Sequence, residues 1–244
     1  MNLEKQLEDF VTRLRRSAGD NLESVVLYGS AASGKFHPES SNINLLCILR
    51  ETSFDALSAL APAIKSWLDE KHPPPMLLTR EELQRSVDVF AIEFLDIKEH
   101  HRVLFGSSLP TDLEIPMDRH RAQVEYELRE KLVLLRQRLL LTVGDDNQLW
   151  ALLMQSLPAF TTLFRHALIA LGDPAPQSKA ETLRALEARF PFDSATFTQI
   201  LDLREHPGNS KKLNVKDLMA RYLHAIQQVT AAVDKILIDP RRAS

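Results

Sequence analysis

The chain has 244 residues, 44% of them hydrophobic and 26% charged, an ordinary globular balance with room for one large domain or two modest ones. A formal net charge of −3 argues against broad nucleic-acid binding, which needs many phosphates neutralised by Lys and Arg. The single cysteine, Cys47, has no partner for an internal disulfide and suits a small buried hydrophobe.

The opening residues MNLEKQLEDF lack an apolar core followed by a small-residue cleavage site, so no secretory signal is expected. The most apolar stretch, Leu149 to Leu171, is interrupted by Gln155, Ser156, Pro158, Arg165 and His166. It suits a buried bundle helix better than a bilayer span. A cytoplasmic protein without a membrane partner is the expectation.

In chain order, Leu3, Leu7, Phe10, Val11 and Leu14 form a helical apolar stripe, and Gly19 is a stop signal. Ser24-Val-Val-Leu-Tyr28 is a short β-rich run ending at Gly29-Ser30, and Asn42-Ile-Asn-Leu-Leu-Cys-Ile-Leu49 is a second buried strand. Leu57, Leu60, Ile64, Trp67 and Leu68 predict one face of a helix over 53–71, closed by Pro73 to Pro75. Met76 to Leu78 predicts a third strand, and Thr79-Arg-Glu-Glu82 has the form of a capping box. The apolar run Asp88 to Ile97 predicts a further long strand.

After Pro116 the pattern is helical throughout. Helices are expected from Asp118 to about Leu141, Asn147 to Leu171, Ser178 onward, Ser194 to Arg204, and from Asn214 along Leu218, Tyr222, Ile226, Val229, Val233 and Ile236. The predicted fold class is α+β followed by all-α: a mixed sheet flanked by helices over 1–110, then a helical bundle over 111–244.

The functional argument rests on Val25-Val-Leu-Tyr-Gly-Ser-Ala-Ala-Ser-Gly-Lys35 and Asn42-Ile-Asn-Leu-Leu46, with Asn42 following Ser30 by 12 positions. A hydrophobic strand ends in Gly-Ser, and a second strand opens with polar residues at alternate positions. This resembles the nucleotidyltransferase superfamily, which includes DNA polymerase β and the aminoglycoside adenylyltransferases and carries Asp-x-Asp or Asp-x-Glu on the second strand.

The physical logic is direct. Glycine lets the backbone approach a triphosphate, and the serine hydroxyl and neighbouring N–H groups can bond its oxygens. Residues i and i+2 of a strand point the same way, so two carboxylates there hold Mg²⁺ for in-line displacement at the α-phosphate.

Here Asn42 and Asn44 stand at those carboxylate positions. The resemblance implies Mg²⁺ and ATP or another NTP as cofactors and transfer of a nucleoside monophosphate to a hydroxyl on a small molecule or protein. The substitutions imply that this activity is weakened or lost, leaving a nucleotide-binding or protein-interaction module as the alternative. A second copy of the chain is a candidate partner.

By the same resemblance, Gly29, Ser30, Ser41, Asn42, Asn44 and Lys212 are nucleotide-binding candidates. Asn42, Asn44 and Glu93 are the metal candidates. Glu93, in Ala91-Ile-Glu-Phe-Leu95, matches the strand glutamate that acts as base in the adenylyltransferases. Strand parity sets Glu93 opposite Asp88 and Asp96, with Asp96 the second choice if a bulge breaks the alternation.

Other features carry less. His100-His101-Arg102 has adjacent histidines and no third ligand at metal spacing, so it is expected at the surface. Arginines and glutamates interleave from Arg119 to Arg138, as on a solvated helix face. Arg221 and His224 stand 3 positions apart, too close for the Arg–His pair of the HEPN ribonucleases.

Overall fold

A computed structural model describes residues 3–33, 43–108, 114–205 and 213–238. The chain divides into two compact units, Met1–Pro116 and Met117–Ser244.

In the first unit, helix α1 (Leu3–Ala18) buries Leu7, Phe10 and Leu14. It stops at Gly19, whose φ of +54° suits a residue without a β-carbon. Strand β1 (Leu22–Tyr28) follows and pairs antiparallel with β2 (Asn44–Leu49), Tyr28 opposite Asn44.

Helix α2 (Phe54–Asp69) is capped by the Ser53 hydroxyl, which accepts from the Ala56 amide. Its buried residues are Leu60, Ala63 and Trp67. Leu57 and Leu68, expected on the same face, are exposed instead. At 3.6 residues per turn Leu57 and Leu68 fall together to one side of the buried stripe. Trp67 donates Nε1–H to the Pro73 carbonyl at 2.9 Å and packs on Phe10 with ring centroids 4.4 Å apart.

Strand β3 (Met76–Thr79) runs parallel to β2, and α3 (Arg80–Arg85) starts on the expected capping box. The Glu82 amide donates to Thr79 Oγ1 at 3.1 Å and the Thr79 amide donates to Glu82 Oε2 at 2.7 Å.

The predicted strand over 88–97 is overturned. Residues Ala91–Glu99 form a helix, α4, and the remaining strand is β4 (His101–Gly106), antiparallel to β1. The physical reason is visible in the burial. Ala91, Ile92, Phe94 and Ile97 are buried, a spacing that closes one helix face and that no strand alternation reproduces.

Among the described residues the four strands form one sheet in the order β3-β2-β1-β4. Alternation along the two inner strands divides the core. Val25, Leu27, Leu45, Cys47 and Leu49 pack with α1 and α2, whereas Val26, Tyr28, Leu46 and Ile48 pack with Leu83, Phe94 and Ile97. Helices thus cover both faces of β1, which explains why nearly all of it is apolar.

The second unit comprises α5 (Met117–Thr142), α6 (Asp146–Ala170), α7 (Lys179–Arg189), α8 (Ser194–Glu205) and α9 (Val215–Ile238). Asp145 caps α6 by accepting from the Asn147 and Gln148 amides. The same helix ends in a Schellman arrangement, with Gly172 at φ +85°, its amide donating to Ile169 and the Asp173 amide to Leu168. Phe160, Phe164, Phe192, Phe197 and Tyr222 form a connected aromatic core, with centroid separations from 4.9 to 6.3 Å. Their edge-on and tilted contacts add to the burial energy.

Candidate nucleotide site at the end of strand β1

Strand β1 ends at Tyr28, and Gly29 turns the chain at φ +75° into a short 3₁₀ turn, Gly29–Ala31. The Gly29 carbonyl accepts from the amides of Ala32 and Ser33 at 3.0 and 3.2 Å. Its own amide donates to the His100 carbonyl at 3.1 Å, tying the turn to the end of α4. The Gly29 N–H is therefore committed within the protein.

Asn44 lies directly across the ladder from Tyr28, and its Nδ2 is 3.3 Å from where a β-carbon on Gly29 would stand. Of the residues singled out in the sequence, Gly29 and Asn44 are thus brought into one place. Ser41, Asn42 and Lys212 lie outside the described residues, and for Ser30 only the backbone path is described.

Glu93 sits in the first turn of α4 rather than on a strand. This corrects the parity argument: three positions apart on a helix, Glu93 and Asp96 share a face instead of opposing each other. The helix packs against the Gly29–Ala31 turn. Burial pushes the Tyr28 phenol well above the usual tyrosine range, and the Glu93 and Asp96 carboxylates push it the same way. Both carboxylates and Asn44 therefore surround the residue that leads into the turn. Tyr28 is what sequence reasoning missed, an aromatic residue immediately before Gly-Ser being the available signal, whereas Asp96 stood there as the second choice after Glu93.

The donor set bears on Mg²⁺. On β2, Asn44 offers one neutral amide oxygen where a divalent cation calls for anionic oxygen. Among the described residues no group of three or more His, Cys, Asp and Glu is arranged to hold a metal. These residues do not fit an ion held by paired carboxylates on β2.

His101 and Arg102 are exposed on β4, His101 Nδ1 lying 2.8 Å from the Ile97 carbonyl and Arg102 3.0 Å from Glu4. Cys47 is fully buried and its thiol is pushed up to about 12, which leaves it unreactive. Arg221 bonds Asp217, Thr196 and Gln199, all structural contacts. No helix among the described residues is long and apolar enough to cross a membrane.

Residues 4–99 match the family described as "Nucleotidyltransferase domain". No curated protein matches the chain. Among solved structures, the fold is similar to spectinomycin adenyltransferase AAD(9) from Enterococcus faecialis, crystallised with ATP and spectinomycin. The TM-score is 0.60 at 13% identity, covering 94% of this chain and 99% of that one. A toxin–antitoxin structure with AMP-PNP covers 56% of this chain and 98% of its own at 18% identity, with a TM-score of only 0.28. The matched residues span strands β1 to β3, the Gly29 turn and α4, and so the N-terminal unit carries a nucleotidyltransferase domain, in a chain whose fold is similar to that of the spectinomycin adenyltransferase.

Proposed function

We propose that the chain binds ATP or another NTP at the Gly29–Ala31 turn and that its transfer of a nucleoside monophosphate to a hydroxyl acceptor is weakened or lost. The observation that carries this reading is the Asn44 amide lying against Gly29, a neutral group at the position where the superfamily carries a metal-binding carboxylate.

The roles follow from chemistry. Ser30 and Ser41 are donors for the polyphosphate. Asn42 and Asn44 offer amide contacts to the nucleotide, and Glu93 accepts the proton of an acceptor hydroxyl. The ATP bound by the spectinomycin enzyme supports an adenine nucleotide, and its drug supports a small-molecule acceptor, with a protein hydroxyl as the alternative. Lewis-acid help from a metal contributes several kcal/mol to such displacements, and ~1.4 kcal/mol is about tenfold in rate. Asparagine in place of a carboxylate at both 42 and 44 thus lowers turnover by orders of magnitude while leaving the polyphosphate donors in place.

Calorimetry with MgATP, paired with transfer of label from α-labelled ATP to a mixed acceptor pool, tests this. The expected result is saturable binding with transfer near background, rising in an Asn42→Asp/Asn44→Asp variant. Absence of nucleotide binding would overturn the reading, as would brisk transfer by the unaltered protein.

A protein-interaction role has one observation in its favour. Tyr126, Val133, Leu140 and Leu141 are exposed on α5, opposite its buried residues Val124, Leu128, Leu132 and Leu135. Light scattering at rising concentration distinguishes a self-associating module from a monomer.

A further inference from the structure

The His100-His101-Arg102 segment borders the Gly29–Ala31 turn. His101 opens β4 directly across the ladder from Tyr28, the residue that leads into the turn. Paired residues of an antiparallel ladder have Cα atoms about 4.5–5.5 Å apart and share one face of the sheet. Tyr28 faces α4, in a cluster with Phe94 and Ile97, and the His101 ring turns to the same helix, its Nδ1 2.8 Å from the Ile97 carbonyl. The His100 carbonyl accepts the Gly29 amide at 3.1 Å, which ties this end of β4 to the turn.

The contact with Ile97 fixes which nitrogen is left for a ligand. A carbonyl can only accept, so Nδ1 carries a proton and Nε2 is the nitrogen that can face another molecule. Among the described residues nothing bonds Nε2, and His101 is exposed. Arg102, the next residue, lies on the other face of β4 by alternation and meets Glu4 of α1 at 3.0 Å. On the face that Tyr28 shares, the strand therefore offers the turn an imidazole rather than a guanidinium.

We infer that His101 is a polyphosphate-binding residue of this site: its Nε2, when protonated, donates to a phosphate oxygen of a nucleotide lying on the Gly29–Ala31 turn. The inference rests on the nucleotide-binding reading above and adds to it a residue and a proton.

A phosphate oxygen offers lone pairs, so it selects the ring that carries a proton on both nitrogens, and imidazole gains and loses that second proton near neutral pH. Binding then draws protons from solution, and affinity rises as pH falls. The titratable groups around the ring are Tyr28 on β1, whose phenol burial pushes well above the usual range, Glu93 and Asp96 of α4 beside that phenol, and His100 with Glu99 3.8 Å away. His100, an adjacent imidazole, is the control.

Calorimetric titration of the full chain with MgATP, at about pH 6 and about pH 8, tests this. Repeating each titration in two buffers of different ionisation enthalpy reads proton uptake. The variants are His101→Asn, which keeps an amide donor for the Ile97 carbonyl and has nothing at the Nε2 position, His101→Gln, and His100→Gln. The unaltered protein is expected to bind MgATP roughly three- to thirtyfold tighter at the lower pH, with protons taken up. Inorganic tripolyphosphate should show the same response. Both His101 variants should lose the pH response and the uptake, while His100→Gln keeps them; if His101→Asn fails to fold, His101→Gln decides alone.

Equal weakening at both pH values in the His101 variants would show a structural role and overturn the inference. So would a pH response that survives in them, one that His100→Gln removes, one that tripolyphosphate lacks, or MgATP affinity that ignores pH in the unaltered protein. Binding of neither MgATP nor tripolyphosphate by the unaltered protein would overturn the nucleotide-binding reading itself, and the inference with it.

Discussion

The amide nitrogen of Asn44 lies 3.3 Å from the position a β-carbon on Gly29 would occupy, so the turn after β1 and the first residue of β2 constrain each other. Gly29→Ala meets two obstacles there. The backbone sits at φ +75°, a conformation that costs an L-residue about 1–3 kcal/mol, and the new methyl presses on the Asn44 side chain. The expected outcome is a stability loss of about that size by urea titration, together with weaker ATP binding. Unchanged ATP affinity in the folded variant would remove Gly29 from the site.

Gly106→Ala should be the more damaging change. A β-carbon there would stand 1.9 Å from the Glu23 carbonyl oxygen, backbone that cannot swing aside as a side chain can. The β1–β4 pairing must open near Ser24, whose hydroxyl donates to the carbonyls of Phe105 and Ser107. The urea midpoint of Gly106→Ala is expected below that of Gly29→Ala; the reverse order would contradict the contact.

How far the sequence could be followed is clearest around these residues. The run from Ser24 to Tyr28 and the run from Asn44 to Leu49 are strands because both faces are buried, and unbroken apolar composition says as much. The capping signals at Thr79, Ser178 and Asn214 act locally and were legible for that reason. Asp88 to Ile97 misled, since a short run of Val, Phe and Ile supports strand or helix equally and only tertiary burial decides. The true strand, His101 to Gly106, begins with exposed polar residues at a sheet edge and carries no apolar alternation to announce it. Its place beside β1 is a long-range pairing that composition does not encode. The site inherits this pattern: Gly29 and Asn44 were visible through their spacing, while the shared face of Glu93 and Asp96 depended on recognising a helix.

Alkaline pH should weaken the first unit through Cys47. Its thiol has an ordinary value of 9.0 and is pushed up to about 12 by burial, so the folded state favours the neutral form. A raised folded value means stability is fully present below pH 9 and is lost as pH climbs toward 12. The slope is about 1.4 kcal/mol per pH unit for one group. Cys47→Ala should therefore show a flatter decline between those limits, with the Tyr28 and Tyr222 phenols, both pushed up by burial, supplying the remainder above pH 10. An identical slope in variant and unaltered protein would contradict the buried thiol.

In the second unit, Tyr222→Phe isolates one buried hydrogen bond. The Tyr222 hydroxyl lies 3.0 Å from the Ser156 hydroxyl, and Ser156 also reaches the Leu153 carbonyl at 3.2 Å. Removing the phenol oxygen leaves Ser156 satisfied and the ring contacts to Phe160 and Phe197 intact. A loss of about 0.5–1.5 kcal/mol is expected by thermal melting. A loss several times larger would mean that the aromatic core reorganises.

A crystal soaked with ATP and Mn²⁺, with anomalous scattering to locate the metal, tests the central claim most directly. The account predicts polyphosphate density on the residues that follow Gly29, beside the Asn44 amide, with Mn²⁺ travelling on the phosphates and no full-occupancy ion on β2. Polyphosphate bound elsewhere, or a fully occupied ion seated on Asn44, would contradict it.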